Sequence, residues 1–182
     1  MGVCVRSIMF KQVENYMTNV DEVMTLVRKY DHLIKVRDKD SLSGEFATHY
    51  GTAKLKQLHQ YDMPEDLTDA IFKTIPVQWT ERLLYCINKY EPGMHIPRHR
   101  DSQGKYWFFK CIFLQSDKPH FKYWDDEDNE HLVHEIPGAT FEMRLSTPHS
   151  VTEIEADERP KYSLCIMQGL EMNGLVKQRK VA

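Results

Sequence analysis

The chain is expected to fold as an α+β protein, mostly β, with a jelly-roll core (a double-stranded β-helix) and supporting helices towards its N-terminus. Three observations predict this. Apolar residues at helical spacing occur only before residue 80. From Arg82 to Gln168 the chain divides into short strand-like runs separated by turn signals, the spacing of an antiparallel sandwich or barrel. Among these runs, Tyr106 to Gln115 is apolar on both faces, so layers must cover it from both sides.

Residues 3–10, rich in β-branched side chains, read as a short strand. From Asn19 the pattern changes: Val20, Val23, Met24, Val27 and Tyr30 fall on one helical stripe, with Asn19 as N-cap, Asp21 and Glu22 in the first turn and Arg28-Lys29 at the end. This amphipathic helix should cover one face of a sheet. Residues 37–62 are polar and weakly patterned, with a short strand at Phe46 to Tyr50. Asp62-Met-Pro64-Glu65-Asp66 supplies a cap, an early proline and acidic residues before Leu67, Ala70, Ile71 and Phe72; this second helix should stop near Thr74, because Pro76 disfavours a helical Ile75. Leu83 to Tyr90 is a strand running into a Glu91-Pro92-Gly93 turn with Gly93 at positive φ. Lys122 to Trp124 and His131 to Ile136 form a hairpin whose acidic tip, residues 125–130, lacks the spacing of a calcium loop. Pro137-Gly138 turns the chain into Ala139 to Leu145, then come His149, Val151 and a last strand, Tyr162 to Gln168. The basic stretch 177–180 reads as a disordered tail.

The 182 residues suit one domain, 1–182, divided into a helical support region (about 1–80), a catalytic β core (about 82–168) and a tail (169–182). A net charge of −3 gives no overall attraction to nucleic acid or anionic membranes. Cys4, Cys86, Cys111 and Cys165 form no C-x-x-C pair, and three of them lie in apolar runs as core thiols. No apolar run is long enough to span a membrane, no signal-peptide h-region opens the chain, and Arg6 breaks a myristoylation motif at Gly2. A cytoplasmic protein is expected.

The chemistry gathers around His99-Arg-Asp101 and a downstream His149. In an extended segment His99 and Asp101 point to the same side, and His149 must arrive from another strand. Two imidazoles and one carboxylate with open positions form the facial triad of non-haem Fe(II) oxygenases, whereas a structural zinc site would want four protein ligands. His95, His120, His131 and His134 are read as solvent-exposed or hydrogen-bonded instead. Asn88-x-Tyr90-x-x-Gly93, then His99-x-Asp101, His149 and Lys161-x-Ser163, resemble in this order the Fe(II)/2-oxoglutarate-dependent dioxygenase superfamily over about residues 82–168.

That resemblance implies Fe(II) on His99, Asp101 and His149, with 2-oxoglutarate and O2 as co-substrates and ascorbate as a further candidate. It places the far carboxylate of 2-oxoglutarate on a cation followed by serine, which falls on Lys161 and Ser163. Arg159 is the competitor, and Lys161 is preferred because a strand fixes a charge better than a loop does. Asn88 and Tyr90 alternate onto one face of their strand and, by the same resemblance, hydrogen-bond the co-substrate. Arg98, Arg100, Arg144, Trp107, Phe109, Tyr123 and Trp124 are candidates for the mouth.

For substrate class, Tyr90-Glu-Pro-Gly93 with Lys161-x-Ser163 is similar to prolyl hydroxylases, and the Gly93 to Asp101 segment to aspartyl/asparaginyl hydroxylases. The expectation is an oxygenase hydroxylating an amino-acid side chain, peptidyl or free, with release of succinate and CO2. One alternative is a nucleobase-directed oxygenase, since Asn88 to Asp101 also resembles the AlkB family. That family's Arg-x-Asn-x-Thr-x-Arg, however, reads here Lys161-x-Ser163-x-Cys165-x-Met167. A non-catalytic module that kept only the jelly-roll/cupin-like core is a third alternative.

Overall fold

The structure is a computed structural model that describes residues 10–36, 55–75, 83–101, 107–144 and 146–169. Residues 3–9, the strand expected at Phe46 to Tyr50, Cys4 and the basic tail lie outside the described residues. Two antiparallel sheets face each other. The major sheet has seven strands: β1 (Phe10–Val13), β2 (Lys35–Val36), β3 (Lys56–His59), β4 (Leu83–Tyr90), β6 (Trp107–Gln115), β9 (Thr140–Arg144) and β11 (Lys161–Gly169), in the order β1-β9-β6-β11-β4-β3-β2. The minor sheet holds β5 (Ile96–His99), β7 (Phe121–Trp124), β8 (Glu130–Leu132) and β10 (His149–Val151), in the order β5-β10-β7-β8. Helices α1 (Val20–Lys29) and α2 (Glu65–Phe72) pack on the major sheet's outer face. This is the expected mostly-β jelly roll with helical support. The first third of the chain does more than support it, because β1, β2 and β3 extend the major sheet at both edges.

Strand alternation explains why the central strands bury side chains on both faces. On β4, Leu83, Tyr85 and Ile87 face the helices while Cys86, Asn88 and Tyr90 face the interior between the sheets; on β11, Tyr162, Leu164 and Ile166 face outwards and Lys161, Ser163 and Cys165 inwards. β6 divides the same way, with Ile112 and Leu114 under the helices and Phe109, Cys111 and Phe113 inside. Two cores result, one beneath the helices and one between the sheets. Val23, Met24 and Val27 of α1 are fully buried in the first, each contributing about 1.5–3 kcal/mol by removal from water.

The N-terminal helix signals act differently from expectation. Asn19 stands at the N-cap of α1 without capping it: its amide donates to Ala70 O (2.8 Å) and its Oδ1 accepts from Thr74 Oγ1 (2.7 Å), tying α1 to the end of α2. The cap of α2 is Pro64, not Asp62; the Pro64 carbonyl accepts from both the amide and the hydroxyl of Thr68. Two Pro-Gly turns hold the sheets in place. In Glu91-Pro-Gly-Met94 and Ile136-Pro-Gly-Ala139, the fourth amide donates to the first carbonyl at 2.9 Å and the glycine has φ +82°, as a type II turn requires.

Candidate metal centre and its buried cation

His99 ends β5, Asp101 follows two residues on, and His149 opens β10. Because β10 pairs with β5 in the register His149↔His99, the two imidazoles are direct cross-strand neighbours, with ring centroids 4.3 Å apart. Asp101 closes the group: its Oδ1 lies 3.3 Å from His99 Nε2 and its Oδ2 3.4 Å from His149 Nε2. All three residues are buried, and one candidate ligand atom from each lies within 4.8 Å of the others.

The backbone chooses which nitrogen each histidine offers. His99 Nδ1 lies 2.8 Å from Pro97 O and His149 Nδ1 2.9 Å from Thr147 O, so each Nδ1 carries the proton and Nε2 points into the cluster. Burial opposes the charge on Asp101, yet His149 and His99 outweigh it and hold the carboxyl far below the carboxylate range. Burial likewise works against a charged His149, and Asp101 overcomes it, raising the imidazole above its ordinary value. Phe121 and Phe109 stack near His149, with centroids 5.6 and 6.4 Å away, and make that side of the cluster apolar.

Across the interior, β11 and β4 present a polar strip in the midst of that apolar core. The register sets Lys161 opposite Tyr90 and Ser163 opposite Asn88. Asn88 receives a hydrogen bond from Gln57 Nε2 (2.7 Å) and donates to Tyr90 Oη (3.3 Å). Burial pushes the Tyr90 hydroxyl well above its ordinary value, so it stays neutral and available as a donor. Lys161 is 2% exposed and its Nζ lies over the rings of Phe113 and Tyr90. An aromatic path joins the two ends: Phe113 packs on Phe141, Phe141 on Phe121, and Phe121 on His149.

Arg159, the competing cation, lies outside this interior. Its side chain is 67% exposed and its Nε and amide bind Asp117 at 2.9 and 2.8 Å. His95, His120, His131 and His134 are engaged elsewhere or exposed, as expected. His120 is buried between Glu158 (2.7 Å) and Thr152 (2.9 Å), His131 pairs with Asp125, and His95 and His134 face solvent.

Of the mouth candidates, Phe109 is interior and Tyr123 is half-buried between Phe10 and His131, while the side chain of Trp107 lies outside the described residues. Arg98 stacks on Trp124 and pairs with Asp128 of the acidic hairpin tip, and Arg100 donates to Ser146 O (2.7 Å). Arg144 ends β9 and is half-buried. Two residues escaped the sequence reading. Gln57 orients Asn88, and Glu135 forms a buried ion pair with Lys161. The signal for Glu135 was the alternation His131-x-Val133-x-Glu135, which places it on the inner face with the buried Val133.

The sequence matches no family model and no curated protein. Its fold is similar to solved structures of iron and 2-oxoglutarate oxygenases. A prolyl-4-hydroxylase of Pseudomonas putida aligns at TM-score 0.65 and 15% identity, over 88% of this chain and 92% of that one. A prolyl hydroxylase of Trichoplax adhaerens, solved with a hypoxia-inducible-factor peptide fragment, aligns at 0.67 and 12% over 91% and 85%. The non-haem α-ketoglutarate-dependent epimerase SnoN from nogalamycin biosynthesis aligns at 0.59 and 10% over 87% and 76%. The fold therefore accommodates more than one reaction type.

Proposed function

We propose that this chain is an Fe(II)- and 2-oxoglutarate-dependent oxygenase that hydroxylates an amino-acid side chain, in a peptide or free. The observation that carries the reading is the pairing of a buried His99–Asp101–His149 cluster with a buried cation, Lys161, at the other end of one aromatic-lined interior. The residues fit the groups they would hold. Two imidazole nitrogens and one carboxylate suit a first-row divalent ion such as Fe(II), and three protein ligands leave positions for a chelating oxoacid and O2. Lys161 Nζ pairs with the buried Glu135 carboxylate but makes no aligned hydrogen bond among the described residues, so its charge lies in the interior where an anionic co-substrate would need one. When bound, iron and 2-oxoglutarate supply the oxidising chemistry, with succinate and CO2 as the co-products.

The chain's own residues have separable tasks. His99 and His149, locked through Nδ1 to backbone carbonyls, present Nε2 to the metal without rotamer search, and Asp101 supplies the neutralising charge. Lys161 and Ser163 receive the far carboxylate of 2-oxoglutarate, while Tyr90, held by Asn88, donates to the co-substrate. Arg159 has no part in this. Phe109, Phe121 and Phe141 keep water from the reacting centre.

The substrate side favours a peptide or amino acid over nucleic acid. Arg98 is already neutralised by Asp128, and Arg100 and Arg144 alone make a poor footprint for a polyphosphate backbone. The Trichoplax adhaerens structure, with its bound peptide, is consistent with this choice. The test offers free amino acids, peptides and methylated oligonucleotides to the iron-loaded protein and analyses products by mass spectrometry. The expected result is succinate release coupled to gain of one oxygen atom on an amino-acid side chain. Stimulation by oligonucleotides alone, falling steeply with salt, would overturn the substrate assignment.

A further inference from the structure

Glu135 places a second charge where the proposed co-substrate pocket would be expected to hold only one. Its carboxylate is completely buried against Lys161 Nζ, whose side chain is 3% exposed. Oε1 also accepts the amides of Phe121 (2.7 Å) and His120 (3.1 Å), so β7 anchors the carboxylate and keeps it from swinging away. Oε2, by contrast, is buried and has no hydrogen-bond partner among the described residues. A buried carboxylate oxygen without a donor is costly, which points to a group that belongs beside it.

The surroundings limit how an incoming anion can be received. From β11 the charged group facing Glu135 is Lys161; β4 contributes the neutral phenol of Tyr90, β6 the ring of Phe113, β7 the Phe121 amide and the residue before it the His120 amide, with the His120 imidazole committed to Glu158 and Thr152. On Glu135's own segment, His131 pairs with Asp125 and His134 is exposed. As it stands, the pair is neutral. A second carboxylate sharing Lys161 would leave one uncompensated negative charge in a desolvated cage, and two carboxylates on one cation favour protonation of one of them.

We propose that Glu135 completes the co-substrate pocket, and that 2-oxoglutarate binding transfers one proton from solvent to the Glu135 carboxyl. The proton turns the orphaned Oε2 into a donor to the incoming carboxylate, and Lys161 becomes the ligand's charge partner. Glu135 thus binds the co-substrate directly and makes its affinity depend on pH. This inference rests on the 2-oxoglutarate reading above.

The experiment is calorimetric titration of 2-oxoglutarate into the chain loaded with Mn(II), a redox-inert substitute for iron. Two buffers matched in pH but different in ionisation enthalpy report the protons exchanged, and a pH series reports the affinity. The expected result is uptake of one proton per 2-oxoglutarate and a Kd that weakens about tenfold per pH unit towards the alkaline side. In Glu135→Gln, which keeps an oxygen for the two amides, both the uptake and the pH slope disappear. Binding to the wild-type chain without proton uptake, or uptake persisting in Glu135→Gln, would overturn the role of Glu135. Should the variant fail to fold, the wild-type buffer pair decides alone. Failure of 2-oxoglutarate to bind the Mn(II)-loaded wild-type chain at all would overturn the functional reading, and this inference with it.

Discussion

Asp101 keeps its charge in a buried position because two imidazoles outweigh the effect of burial, and the same coupling raises His149 above an ordinary value of 6.5. A metal held by this cluster would compete with protons for His149 Nε2, so its binding would release a proton and its affinity would rise with pH. The expected outcome is a Mn(II) affinity that falls as pH drops through the raised His149 value, already above the pH at which an isolated imidazole protonates. An affinity unchanged between about pH 8 and about pH 6 would contradict this. The two cations separate just as clearly. Lys161→Ala removes the buried cation that the described residues place in the interior and should weaken 2-oxoglutarate binding by about 2–5 kcal/mol. Arg159→Ala should leave binding unchanged, since that guanidinium is on the surface with Asp117. Titrating 2-oxoglutarate into both metal-loaded variants gives the comparison, and the larger loss in Arg159→Ala would reverse the assignment. Circular dichroism should accompany it, because Lys161→Ala also leaves Glu135 buried without its cation.

β4 and β11 place the candidate chemistry on the inner face and packing on the outer one, and that period of two made the site legible. His99 and Asp101, Asn88 and Tyr90, and Lys161 and Ser163 are three i, i+2 pairs, and the registers His149↔His99 and Lys161↔Tyr90 bring them together. The turns were legible for the same kind of local reason, since Pro followed by Gly fixes a type II geometry. Their glycines nevertheless differ in what surrounds them. A Cβ on Gly93 would meet nothing within 4 Å, whereas one on Gly138 would sit 2.5 Å from Met17 O, the residue whose amide donates to Gly138 O. Gly93→Ala should therefore cost about 1–2 kcal/mol, from backbone strain alone. Gly138→Ala should cost more, because the segment entering α1 must also move. Thermal melts of the two variants test the order, and equal losses would contradict it. What the sequence concealed was long-range: that Asn19 binds α2 instead of capping α1, and that Glu135 reaches Lys161 across 26 positions of chain (161 − 135). Neither contact has a local spacing to betray it.

At the scale of the whole molecule, the division of labour lies between two cores. The layer under α1 and α2 is apolar packing that closes the major sheet's outer face, while the space between the sheets mixes phenylalanines with the buried polar and charged groups. Keeping His99, Asp101, His149, Lys161 and Glu135 out of water has a cost that the packing around them must offset, and such an arrangement suits bound ligands better than it suits stability alone. Among the described residues no helix is long and apolar enough to cross a membrane. The fold class was recoverable from the sequence because helical and strand periods occupy separate parts of the chain. The contribution of β1 to β3 to the sheet edges was not, since short edge strands carry little pattern of their own. On the reading proposed above, the His99–Asp101–His149 cluster and the buried Lys161 together turn over 2-oxoglutarate. The most direct measurement is succinate formation by the wild-type chain and by Asp101→Ala, each supplied with Fe(II), 2-oxoglutarate and air. Succinate is expected from the wild-type chain only when all three are present, with a loss of about 100-fold or more in Asp101→Ala whose fold stays intact by circular dichroism. No succinate from the iron-loaded wild-type chain, or equal amounts from both proteins, would contradict it.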